Sequence, residues 1–203
     1  DFYKVRQDGV ERVAGVEADI IALVPKDHLR FGYRVWTEQK KGLVVKLQTL
    51  DTDGKVLEQA AFSELQLDAP VKMDKLIQMM GKVEGYRVVE KPVLVKTTAS
   101  AEGWVLKAPV AGFKSMSCYK RPATAANAAT GEEPLQWIFS DGLASVSIFV
   151  EPFDRQRHDK ESSLSLGATQ TITRRLETHW ITVMGEVPMT TLRLFANGLE
   201  RKK

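Results

Sequence analysis

Turn signals punctuate the first third of this chain at intervals too short for a parallel sheet. Gln7-Asp8-Gly9, Lys40-Lys41-Gly42 and Asp51-Thr52-Asp53-Gly54 separate segments rich in β-branched and aromatic residues. Each ends in the glycine that a tight turn uses for its positive φ angle. Parallel strands need a crossover of about a dozen residues or more, so only an antiparallel meander fits this spacing. The expected strands cover residues 2–6, 11–14, 16–25, 30–37 and 43–51, with a long strand over 55–67. Phe31, Tyr33 and Val35 alternate with Arg30, Arg34 and Trp36, and Leu43, Val45 and Leu47 read as one face of the next strand. These six apolar residues form an expected inward face, able to cover a core or to line a cavity for an apolar ligand.

The period then changes. Met73, Leu76, Ile77 and Met80 recur at helical spacing over residues 71–82, with Gly81 as the stop. Residues 84–102 lack a clean pattern, carry Pro92 and read as a linker with room for one strand. Beyond Gly103 two short strands are expected, broken by Pro109 and Gly112. Residues 123–134 and 154–167 read as polar loops. A hairpin closes at Ser140-Asp141-Gly142, and another turns near Leu176 and Glu177. A last helix starts at Pro188, with Leu192, Phe195 and Leu199 on one face and Arg201, Lys202 and Lys203 complementing its C-terminal dipole. The expected fold class is α+β, mostly antiparallel β: two sheets, each followed by a helix. The expected division is 1–83, a linker over 84–102, and 103–203.

Chemistry-bearing motifs are missing. His28, His158 and His179 lie far apart and read as solvated or strand-surface residues, and none has a partner at metal-ligand spacing. Cys118 is the only cysteine; it reads as a packed thiol and permits no intrachain disulfide. Phosphate-binding glycine loops and the Gly-x-Ser-x-Gly elbow are absent from the sequence. Ser140 explains itself as a turn residue. A net charge of +3, from 29 basic and 26 acidic residues, is too small for a nucleic-acid footprint. Trp36, Trp104, Trp137 and Trp180 are scattered over four strands and read as packing residues. No apolar run reaches the roughly 20 residues of a membrane-spanning helix. Because the chain starts directly in a strand pattern without a signal peptide, it reads as a piece of something longer. These readings lead to a non-enzymatic binding protein with no metal and no cofactor.

Four stretches, in one order, carry a resemblance: YRVWTEQKKGLVVKLQTLDTDGKVLEQAAF in the first part, PVAGF at 109–113, LQWIFSDGLASVSIFVEPFD at 135–154, and WITVMGEVPMTTLRLFANGLE near the end. Together they resemble the MucB/RseB family, whose members carry an "FSDGL" or "YSDGL" hairpin, an "LPxGF" element and an "ITVVGELP" ending.

The resemblance implies a periplasmic regulator. Its first part would be the second half of a curved sheet like that of the lipoprotein carriers LolA and LolB, and its second part the smaller C-terminal domain of the family. That domain would bind the periplasmic part of an anti-sigma factor of the RseA or MucA type and shield it from site-1 proteolysis in the sigma-E-type envelope stress response. Release would follow lipopolysaccharide or lipoprotein signals, with acyl chains as ligands of the apolar face. The expected partner contact falls on Phe139, Ser140, Asp141, Gly142 and Leu143, where the resemblance is strongest. A half-sheet with an unpaired edge is expected to self-associate, most simply as a homodimer through residues 1–37. The alternative is a pure carrier of lipoproteins or apolar ligands, which would not need residues 103–203.

Overall fold

The computed structural model describes residues 1–86, 93–121 and 133–202. In chain order the elements are β1 (Tyr3–Val13), β2 (Val16–Pro25), β3 (Gly32–Glu38), β4 (Val44–Leu50), β5 (Val56–Ala61), α1 (Met73–Gly81), β6 (Val95–Thr97), β7 (Trp104–Leu106), β8 (Lys114–Lys120), β9 (Leu135–Ser140), β10 (Ser145–Pro152), β11 (Ser162–Leu166), β12 (Thr169–Leu176), β13 (His179–Gly185), α2 (Met189–Gly198) and β14 (Leu199–Arg201). The first five strands pair in sequence order as an antiparallel meander. A second, seven-stranded sheet has the order β11-β12-β13-β10-β9-β8-β6, and β14 pairs with β7 beside it. Every strand pairing is antiparallel. The fold is α+β and mostly antiparallel, as the turn spacing requires.

Several expectations need correction. Asp8-Gly9 does not reverse the chain. β1 runs straight through it, with a bulge between Gln7 and Gly9, and the hairpin turns instead at Ala14-Gly15. Gly9 still uses its positive φ of 121°, which here accommodates an extra residue rather than a reversal. The strand expected over 55–67 stops at Ala61. The polar loop 154–167 contains β11, and the last helix ends at Gly198, so that Leu199 to Arg201 pair with β7 instead of prolonging it. Part of the expected linker, Val95–Thr97, is a strand of the second sheet; residues 87–92 of that stretch, Pro92 among them, the loop residues 123–132 and Lys203 lie outside the described residues.

The second sheet holds the larger core. Val146, Ile148 and Val150 alternate inward on β10, and Ile181 and Val183 do so on β13. Helix α2 packs Leu192, Phe195 and Ala196 onto them at helical spacing, with the Phe195 ring edge-on to Phe113. The first sheet's cluster is small: Val13, Ala18, Trp36 and Val45. The apolar stripe of α1, including Met73, Ile77 and Met80, faces solvent. β1 lies at an edge of its sheet and is mostly exposed. No helix among the described residues is long and apolar enough to cross a membrane.

Candidate functional site

A close set of contacts surrounds Arg30, which the alternation puts on the face opposite Phe31 without a role of its own and which the structure instead buries ahead of the strand. Arg30 lies in the connection between β2 and β3, and its side chain is completely buried. Its Nε donates to Asp141 Oδ2 at 2.6 Å, its Nη1 to the Asp27 carboxylate, and its Nη2 to the Ala111 carbonyl at 2.8 Å. The rings of Phe2 and Phe113 flank the guanidinium at 4.3 and 5.0 Å. Nearby, Thr191 at the start of α2 donates its hydroxyl to the Leu29 carbonyl at 2.9 Å. A planar, always-charged fork with five donors suits such a buried, multiply accepted position, which a lysine would not fill.

Local sequence builds each arm of this contact. Asp27 accepts the Leu29 N–H at 3.0 Å, shaping the turn that presents Arg30. Asp141 accepts the backbone N–H groups of Leu143 and Ala144 on Oδ1, at 2.9 and 2.8 Å, while Oδ2 holds Arg30. One carboxylate therefore closes the β9–β10 hairpin and ties it to the first sheet. Gly112 has φ +84°, and a Cβ there would stand 2.0 Å from Arg30 Nη2 and 2.8 Å from the Phe2 ring. Only glycine lets Ala111 and Phe113 close around the guanidinium.

The expected partner-contact residues divide accordingly. Phe139 is buried against Trp137 and Phe195, and Asp141 is engaged by Arg30. The Ser140 hydroxyl donates to the Ala144 carbonyl at 2.9 Å and accepts the Gly142 N–H at 3.0 Å, so it serves the turn. Gly142 adopts a φ of 102°, and Leu143 is 53% exposed at the tip.

The expected apolar face does not hold as one surface. A register shift between Trp36 and Thr37 opposite β4 puts Val45 with Trp36 in the small core, whereas Leu47 pairs with Val35 on the other side. Phe31 and Tyr33 are buried, Val35 is half-buried, and Leu43 and Leu47 are exposed. Burial and the nearby carboxylates of Glu186 and Asp141 push the Tyr33 hydroxyl up to about 12.

A cavity of about 600 Å³ lies in the second part of the chain and is lined by Trp104, Leu106, Pro109, Phe113, Trp137 and Phe139. Cys118 also borders it, and burial, with the charge of Glu102, pushes its thiol up to about 11. The protonated thiol is a poor nucleophile, and the walls suit an apolar side chain or acyl segment better than any proton-transfer chemistry.

His158 departs from expectation. It is buried, its ring stacked on Trp180 at 4.9 Å and 6°. It accepts the Asp154 N–H on Nδ1 at 2.9 Å, so its Nε2–H donates to Glu151 at 2.8 Å. His179 is also buried, edge-on to Trp104. Among the described residues no cluster of histidine, cysteine and carboxylate side chains could hold a metal ion.

Comparison with known proteins places the chain in a family. The family model of the MucB/RseB N-terminal domain matches residues 1–80, and that of the MucB/RseB C-terminal domain matches residues 98–200. Sigma factor AlgU regulatory protein MucB of Pseudomonas aeruginosa is 30% identical over 204 residues, covering 94% of this chain and 58% of the relative. Sigma-E factor regulatory protein RseB of Escherichia coli K12 is 26% identical over 199 residues, covering 98% of this chain and 59% of the relative. The chain thus spans less than two thirds of the length of these relatives. Among solved structures, MucB in complex with MucA(peri) superposes with a TM-score of 0.77 at 26% identity, over 100% of this chain and 68% of that one. The complex structure of Pseudomonas aeruginosa MucA/MucB gives 0.77 at 27% identity, over 100% and 66%. PVAGF and FSDGL, two of the stretches that carry the resemblance, thus meet at Arg30 inside a fold shared along its whole length, and the chain belongs to the MucB/RseB family.

Proposed function

We propose that this chain is part of a periplasmic regulator of a sigma-E-type envelope stress response, which binds the periplasmic segment of an anti-sigma factor of the MucA or RseA type and shields it from site-1 proteolysis. One observation carries the reading: the whole chain superposes on the MucB of a solved MucB–MucA(peri) complex. The division into 1–83 and 103–203 around a linker belongs to the same proposal, with the linker of 84–102 cut short at Val95, where β6 already joins the second sheet. The second part, with the larger core and the apolar cavity, supplies the main contact. Phe139 and Asp141 are engaged within the chain, so the hairpin offers the partner Leu143 and its exposed turn backbone. Val35 and Leu47, paired on one face of the first sheet, are the remaining candidates for contact with acyl chains of lipopolysaccharide or lipoprotein.

The test is titration calorimetry of the 203-residue chain with the periplasmic segment of MucA. A one-to-one complex at micromolar concentrations is expected. No heat and no complex would reject the regulator reading in favour of an apolar-ligand carrier.

A further inference from the structure

We propose that β11 is a docking edge, and that it takes an extended segment of the partner, alternating acidic and apolar residues, as an added strand. The inference rests on the reading of this chain as a protein-binding regulator and specifies the chemistry of what is bound.

Among the described residues β11 ends the seven-stranded sheet and pairs only with β12. All five of its residues are exposed, and among the described residues its backbone makes no bond to any other loop or element. An end strand presents a row of unpaired N–H and C=O groups, and proteins normally blunt such edges with lysine, proline or a bulge. Ser162-Ser163-Leu164-Ser165-Leu166 contains neither residue, and its pairing with β12 has no register shift. The edge is open and straight.

Its two faces differ. Leu164 and Leu166, 61% and 75% exposed, stand on the outer face opposite Thr171 and Thr169. On the other face a cleft of about 470 Å³ opens towards helix α2, lined by Ser163, Ile172, Arg174, Arg193 and Asn197. Arg174 is held in place by the Ala196 carbonyl and Asn197 Oδ1, both at 3.1 Å. Arg193 is exposed on α2. The one carboxylate in the lining, Glu161, already accepts the Arg175 N–H at 2.8 Å. Arg174 and Arg193 outnumber this one acid and leave the cleft positive, while Arg175, next to Arg174 on β12, points to the opposite face, over the Phe153 ring and to the Glu177 carbonyl.

A strand added to β11 would send alternate side chains to these two faces. One set would meet Arg174 and Arg193 and is matched by Asp or Glu. The other set would lie beside Leu164 and Leu166 and is matched by apolar residues. Backbone bonds supply affinity in this binding mode, and the alternating side-chain sites set the register. The edge is also held in position. The β11–β12 turn abuts the first sheet, where a Cβ on Gly167 would stand 3.1 Å from Glu58 Oε1. A second copy fits worse, because two β11 edges would face arginines with arginines.

The test uses the full chain and a fluorescein-labelled peptide, Thr-Glu-Val-Glu-Val-Glu-Thr, with a sister peptide carrying Lys at each Glu position. Anisotropy should show binding of the acidic peptide only, and hydrogen exchange should slow at residues 162–166. Arg193→Glu and Leu164→Lys, both at exposed positions, should leave Tm unchanged and weaken binding about tenfold or more. Equal binding of both peptides, no binding of either, protection elsewhere, or unchanged affinity in the two variants would overturn the proposal. A dimer that Leu164→Lys dissolves would overturn it in favour of a second copy. If MucA's periplasmic segment binds both variants as it binds the parent chain, the docking edge falls and the regulator reading stands. If that segment fails to bind the parent chain while the acidic peptide binds at β11, the regulator reading falls and the edge stands.

Discussion

Arg30 and Asp141, 111 residues apart in sequence, form an ion pair at 2.6 Å in which neither side chain is exposed to solvent. Desolvating two charges is costly, and it is compensated here by further bonds on each partner: Asp27 and Ala111 on the guanidinium, the Leu143 and Ala144 N–H groups on the carboxylate. The pair couples the two sheets, so disturbance of either hairpin or of the β2–β3 turn is felt in both.

Asp141→Asn tests this coupling. An asparagine oxygen can still accept the turn N–H groups, but the charge facing Arg30 is lost. Because Asp27 and Ala111 still hold the guanidinium, the expected cost is that of one charged hydrogen bond, about 1.5–3 kcal/mol, rather than that of an orphaned buried ion. Urea denaturation should show the midpoint falling with the slope unchanged. Arg30→Met in the Asp141→Asn background should cost less than the sum of the two single changes.

Gly112→Ala and Gly142→Ala separate steric contact from backbone strain. Both glycines have positive φ, 84° and 102°. A Cβ on Gly142 meets nothing within 4 Å, so the change should cost on the order of 1 kcal/mol through φ alone. A Cβ on Gly112 would overlap Arg30 and Phe2, so the loss should be clearly larger. Equal thermal shifts for the two variants would contradict the packing described around Arg30.

Asp141-Gly142 and Asp8-Gly9 show what the sequence could and could not reveal. The same dipeptide reverses the chain in the first case and bulges it in the second. Asp-Gly announces a positive φ, not the use made of it, and β1 is too exposed for burial alternation to settle the matter. The β9–β10 and β12–β13 hairpins were legible because their strands alternate between a buried and an open face. β11 was hidden because Leu164 and Leu166 alone alternate in it, too short a pattern to tell a strand from the end of a polar loop. His158 looked solvated because the ring that covers it, Trp180, comes from a distant strand. Arg30 was illegible for the same reason: Ala111 and Asp141 lie 81 and 111 residues away.

Cys118 should titrate late. Burial holds its thiol at about 11 against an ordinary value of 9.0. Below 9.0 the thiol is neutral in folded and unfolded chains alike, and it does not affect stability. Above 9.0 the unfolded thiol ionises first, so the folded state loses relative stability as pH rises towards 11. Alkylation by iodoacetamide should be slow at pH 8 and become fast in urea. In Cys118→Ala this component of the alkaline decline should vanish. Rapid native labelling at pH 8 would contradict the burial.

Glu38 makes the opposite contribution at the acid end. The Lys40 and Lys41 N–H groups donate to its carboxylate at 2.9 and 2.7 Å and hold it below the usual carboxylate range. A depressed folded value means that its stabilisation is present above the ordinary glutamate value of 4.5 and is lost as pH falls through the depressed one. Glu38→Gln should therefore lower Tm at neutral pH and converge on the parent chain in acid. A constant gap between the two from pH 7 down to the acid transition would contradict the assignment.

Salt should separate the charged from the apolar part of partner binding. Arg174 and Arg193 are arranged on one side of the second sheet, where they attract an acidic segment before contact is made. At ~0.1 M salt the screening length is about 10 Å, long enough for that attraction to guide encounter; at ~1 M it is about 3 Å and the guidance is gone. The strand bonds along β11 and the apolar contacts at Leu164 and Leu166 are short-ranged and persist. Association of the MucA periplasmic segment should therefore slow as salt rises while dissociation changes little, giving weaker but measurable binding at the high end. Stopped-flow mixing at the two salt concentrations measures both rates. A dissociation rate that rises as steeply as association falls would place the buried contact itself among the charges and contradict the division of roles on β11.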